Sequence, residues 1–67
     1  MALINAEQAI EKALEVMKKS GHAYVLASEV FQEGGYWIVI ANTLIGRFKI
    51  KIDSGGNLVE VREIKQG

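Results

Sequence analysis

Arg47-Phe48-Lys49-Ile50-Lys51-Ile52 alternates cation and hydrocarbon without a break. That period of two is the signature of a strand with one wet face and one dry face. Phe48, Ile50 and Ile52 must therefore face a core, and Arg47, Lys49 and Lys51 the other side. Downstream, Asp53-Ser54-Gly55-Gly56-Asn57 is a turn sequence, and Leu58 to Ile64 reads as a return strand. An even-length turn through Gly55-Gly56 sets Ile52 opposite Val59, Ile50 opposite Val61 and Lys51 opposite Glu60, so that opposite charges meet on the outer face. Upstream, Tyr36 to Asn42 is joined to the same strand through Thr43 to Gly46, and Gly34-Gly35 joins it to Tyr24 to Gln32. Every connection is short enough for a hairpin, and no proline interrupts the series.

Ahead of these strands the period is 3.6. Ala6, Ala9, Ile10, Ala13, Leu14 and Met17 recur at spacings of three and four, which predicts a helix over residues 6–19 with one apolar stripe. Asn5 can cap it, with Gln8 as the reciprocal partner of a capping box. Glu7 at the start, Lys18 and Lys19 at the end and the pair Glu15 and Lys19 suit the helix dipole, and Gly21 suits a left-handed cap. The chain thus reads as a single α+β domain over residues 1–67, one N-terminal helix packed on a four-stranded antiparallel meander in the order α-β-β-β-β. The alanines imply a close approach of helix to sheet.

Carrying the register back through even-length loops places Trp37, Val39 and Ala41 under the helix with Ser28 and Val30, and turns Glu29 outward near Lys49. Tyr36, Ile38 and Ile40 then lie on the outer face with Phe31. A three-residue loop ending at Gly46 would instead turn the second strand over. In the first arrangement the second strand is apolar on both sides, unlike a sheet face bathed in water. Its outer residues Phe31, Tyr36, Ile38 and Ile40, with Lys49 and Lys51 at the rim, form a candidate interface, and the expectation is a homodimer or a protein or peptide partner on this face.

Composition excludes several chemistries. Eight basic and eight acidic residues cancel, and there is no cysteine, which removes disulfides, thiolate metal sites and thiol nucleophiles. A chain of 67 residues gains only about 3 to 5 kcal/mol from a single core, which makes self-association a common recourse. Met1 to Asn5 lacks the basic and apolar regions of a secretory signal, and no apolar run approaches the roughly 20 residues of a membrane span. A cytoplasmic location away from membranes is the expectation.

Catalytic, cofactor and metal sites are not expected. His22, the lone histidine, stands at the helix-to-strand junction with no acid or second ligand near it in sequence. Asp53, Gly55 and Asn57 resemble a calcium loop, yet the twelfth position of such a loop falls on Ile64 where a glutamate is needed. Ser20, Ser28 and Ser54 have no nucleophile-elbow context, and Glu7, Glu11 and Glu15 form a solvated ridge. Arg47, Lys49, Lys51 and Arg62 share a face with Tyr36 and Phe31, as in sheets that stack nucleic-acid bases, but Glu29 and Glu60 stand among them and dilute the field.

The segments Ala6-Glu7-Gln8-Ala9-Ile10-Glu11-Lys12-Ala13-Leu14, Gly35-Tyr36-Trp37-Ile38-Val39 and Phe48-Lys49-Ile50-Lys51-Ile52-Asp53 running through Gly55-Gly56 into Asn57-Leu58-Val59 together resemble a PepSY-like repeat. The resemblance spans most of the chain. It implies an alanine-rich helix before a small antiparallel sheet, and a non-catalytic binding or protease-modulating module. Three functions are therefore set against one another: a self-associating interaction module, a regulatory peptide or protease binder, and a nucleic-acid binder acting through the basic rim.

Overall fold

Both ends of the helix are closed by the residues the sequence supplies for them. In the computed structural model, which describes residues 3–65, helix α1 spans Ala6–Lys19. The reading of Met1 and Ala2 and the outermost ends of the domain lie outside the described residues. Asn5 Oδ1 accepts from Gln8 N–H at 2.8 Å and Gln8 Oε1 accepts from Asn5 N–H at 2.9 Å, a reciprocal capping box that satisfies two otherwise orphaned donors. At the other end Gly21 adopts φ +98°, donates to Lys18 O and lets His22 donate to Met17 O. This 6→1 and 5→2 pair is a Schellman closure, and glycine takes the left-handed position without a Cβ penalty.

Four strands follow, β1 (Val25–Glu33), β2 (Tyr36–Thr43), β3 (Gly46–Ile52) and β4 (Leu58–Ile64), paired antiparallel in the order β1-β2-β3-β4. This is the α-β-β-β-β meander expected, with strand ends displaced by at most one residue. Gly34 and Gly35, at φ +57° and +82°, make the β1–β2 turn, where both central residues need positive φ. The β2–β3 turn is different in kind. Thr43 pairs with Gly46, leaving a two-residue tip of Leu44 and Ile45, so the loop is even and β2 keeps the faces assigned to it. Neither tip residue has positive φ. Instead Thr43 Oγ1 accepts from Ile45 N–H and donates to Gly46 O, and Gly46 absorbs the turn geometry.

Helix and sheet meet through small side chains. Ala9, Ala13 and Met17 on α1 are fully buried against Val39, Ala41, Ile50 and Ile52, with Ile4, Val25, Ala27, Val30, Trp37 and Phe48 packed around them. Alanine at the centre of the contact holds the two layers close. Ile10 and Leu14, on the stripe read from the sequence, flank this line and are only half-buried. The helix lies over β1 and β2, touches β3 less and leaves β4 largely uncovered.

Two bulges change the register that even loops would impose. In β1, Ala27 pairs with Ala41 but Glu29 pairs with Ile40, so Ser28 is the extra residue. Ser28 therefore does not lie under the helix. Ala27 takes that place, and the Ser28 hydroxyl, kept at the exposed side, donates to Ile40 O at 3.4 Å. An apolar residue gains the buried position, a hydroxyl is spared desolvation, and Glu29 still turns outward. In β4, Lys51 pairs with Glu60 as expected and Ile50 with Val61, but Ile52 pairs with Leu58 and Val59 is the extra residue. The cause is the turn, where Asp53 N–H donates to Asn57 O and Asp53 Oδ1 accepts from Gly55 and Asn57 N–H. That closure is one residue out of step with a simple ladder.

Candidate functional site: the outer sheet face and its open margins

Tyr36, Ile38 and Ile40 lie on the side of the sheet away from the helix. Their cross-strand partners are Glu33, Phe31 and Glu29 on β1, and Lys51 and Lys49 face Ile38 and Ile40 from β3. The six candidate interface residues, Phe31, Tyr36, Ile38, Ile40, Lys49 and Lys51, are thus brought together on one face. Yet among the described residues no second layer covers this face, and Ile38 is still only 1% exposed and Ile40 6%.

The roof comes from neighbouring side chains on the same face. Lys51 lays its stem across the sheet so that Nζ stands 4.3 Å from the centre of the Tyr36 ring. Lysine covers apolar surface with its methylenes while its ammonium stays at the aromatic face and in water. Lys49 is likewise half-buried opposite Ile40. Phe31 and, at the far end of β1 opposite Asn42, Leu26 are the large apolar residues of this face that stay open.

The cations here are partly engaged. Arg62 Nη2 lies 3.3 Å from Glu60 Oε2 on the same strand, and Lys51 is held over Tyr36. Arg62 also stands directly across from Lys49, a like-charge pair that is unfavourable by itself.

Elsewhere the chemistry-bearing residues have structural work. His22 stacks its ring against Phe48, with centroids 5.2 Å apart at 59°. The Asp53 carboxylate is held below the usual range, chiefly by the N–H of Asn57, with desolvation opposing it and the Asn57 side chain and the Gly55 and Gly56 amides adding to the lowering. Both of its oxygens are engaged inside the turn, Oδ2 by Asn57 Nδ2 at 3.2 Å. Glu15 is lowered by its bond to Lys19 at 3.1 Å and by Lys12, as a helix-surface carboxylate should be. Among the described residues no three His, Asp or Glu side chains cluster as a metal site would require, and no helix is long and apolar enough to cross a membrane.

Two open apolar margins escaped the sequence reading. One is the β2–β3 tip, where Leu44 and Ile45 are 81% and 74% exposed beside Tyr24 and Leu26, and shallow recesses run between them. Two aliphatic residues inside a tight turn were the available signal. The other is β4, where Leu58, Val59 and Val61 are all open. Its signal was hidden, because periodicity shows which residues share a face but not how far a single helix reaches across it.

Compared with protein families, curated proteins and solved structures, the chain matches none, so the reading of its function rests on the geometry above.

Proposed function

We propose that this chain is a small, non-enzymatic interaction module that self-associates through its sheet. The observation that carries the reading is the mismatch between layers: one helix covers a sheet of four strands only as far as β3, and β4 is left with open apolar side chains at Leu58, Val59 and Val61. Large apolar residues held open by a fixed backbone mark contact surface. The outer face contributes Phe31 and the stems of Lys49 and Lys51, while Ile38 and Ile40 beneath them serve the chain's own stability.

The peptide- or protease-binding alternative, which the PepSY-like resemblance implies, draws on the same edges, since an exposed strand can accept an extended peptide as an added strand. Nucleic-acid binding is less well supported, because Lys51 and Arg62 already have partners and acids stand beside them. Sedimentation equilibrium at micromolar concentration tests the leading reading. Twice the chain mass is expected. A monomer across the whole accessible range would overturn self-association and leave the edge open to a peptide.

A further inference from the structure

The geometry points to a specific partner for the β4 edge: a second copy of this chain, paired antiparallel β4 to β4 about a twofold axis at Val61. The inference rests on the self-association reading and supplies its interface. It starts from the direction of backbone groups. Asp53 N–H donates across to Asn57 O, so on β3 the odd-numbered residues turn their N–H and C=O toward β4. Alternation then makes Lys51 with Glu60, Lys49 with Arg62 and Arg47 with Ile64 the bonded pairs. The backbone groups of Val61 and Glu63 consequently point to the open edge. Val61 of one copy can exchange two hydrogen bonds with the partner's Val61.

Charge selects this register over its neighbours. With the axis at Val61, Glu60 stands opposite the partner's Arg62 on the outer face, and Arg62 opposite the partner's Glu60. Moving the axis by one residue sets Glu60 on Glu60 or Arg62 on Arg62, and moving it to residue 63 sets Glu63 on Glu63. An axis at Val59 would fall on the bulge. Of these registers the one at Val61 alone pairs opposite charges and opposes no like ones. It also brings a second carboxylate to Arg62, which faces Lys49 within its own chain.

The inner face agrees. Val30, Val39, Ile50 and Val61 are successive cross-strand partners, a single apolar row that crosses the sheet and ends at a valine 40% exposed. Pairing at Val61 continues the row into the second copy. Because α1 sits over β1 and β2, the two helices stand apart on one side and do not compete for the junction. The opposite edge, β1, is bent at its middle by the bulge at Ser28, whereas the β4 bulge at Val59 leaves Glu60 to Ile64 in regular register. A β4-to-β4 contact is also closed: each copy offers one such edge, so assembly stops at a dimer with an eight-stranded sheet.

Two single substitutions and their mixture test this. Glu60→Arg places arginines opposite arginines across the axis, and Arg62→Glu places acids opposite acids. Each should weaken the dimer roughly tenfold or more, from two symmetry-related pairs reversed in sign. Mixed in equal amounts, the two variants should recover a heterodimer, since every position is again opposite in charge. Circular dichroism and urea unfolding of each variant check that it folds; Arg62→Glu gives up the exposed pair with Glu60 but gains one with Lys49, so a folded chain that has lost the dimer is the result expected. In the wild type, the Val61 amide should exchange slowly with deuterium at high concentration and quickly at low. A wild-type dimer that both substitutions leave intact, or a mixture that stays monomeric, would overturn this interface while leaving self-association standing. A wild type monomeric at every concentration would overturn both.

Discussion

Replacing Ile38 by alanine should cost this chain nearly half its stability, although Ile38 lies on the face the helix does not cover. The substitution removes three carbons, worth about 0.8 kcal/mol each, or about 2.4 kcal/mol in transfer free energy. Ile38 is 1% exposed, so its site can collapse only partly, and a cavity contribution raises the loss to about 3 kcal/mol. At about 0.1 kcal/mol per residue a domain of this length holds at most roughly 7 kcal/mol, and a single core in so short a chain gives less, so nearly half is the smallest share lost. The corresponding fall in melting midpoint is roughly 12 to 24 °C. Trp37 is the sole tryptophan and packs against the core, so its fluorescence reports unfolding directly. The measurement belongs at the lowest concentration that Trp37 fluorescence allows, where association contributes least. A loss below about 1 kcal/mol there, growing with concentration, would refute the roofing of Ile38 by its own chain and show that the cover comes from another molecule. Lys51→Met, which retains most of the stem, should cost less than Lys51→Ala, because the hydrocarbon rather than the charge does the covering.

Asn5→Ala should destabilise the fold by about 1 kcal/mol in urea unfolding, since it removes the side-chain acceptor of the Gln8 N–H and leaves only the bond from its own backbone N–H to Gln8 Oε1. Asp53 titrates below its unfolded value, so its stabilisation is complete above the ordinary carboxylate pKa and is lost as pH falls through the depressed one. Asp53→Asn should therefore lower stability at neutral pH, and urea midpoints of the two chains should converge as the solution is acidified. A generic single-stranded oligonucleotide should show no binding in a salt titration begun at low ionic strength, because the basic face is interleaved with Glu29 and Glu60; tight binding there with a steep salt slope would revive the nucleic-acid reading.

The open face of the sheet shows why some of the candidate site was legible and some was not. That Phe31, Tyr36, Ile38, Ile40, Lys49 and Lys51 share a face follows from a period of two once the loops are even, and the two-residue Leu44-Ile45 tip decided that against a three-residue loop ending at Gly46. That Ile38 is closed off follows from how a twisted sheet lets Lys51 and its neighbours lie across it, and this depends on side-chain paths that periodicity does not encode. The Ser28 and Val59 bulges are of the same kind. The first trades a regular ladder for a better match between side chain and environment, the second follows from the closure of the Asp53–Asn57 turn, and neither is set by the alternation of the strand alone.

Local chemistry alone determined the helix with both its caps, the number and order of the strands, and the outward turn of Glu29. Each is decided by contacts within a few residues or by a simple alternation. Packing alone decided how far α1 reaches, and hence that β4 is left with an uncovered apolar edge. The width of one helix against four strands is a property of the assembled layers, and no stretch of the chain carries it in isolation.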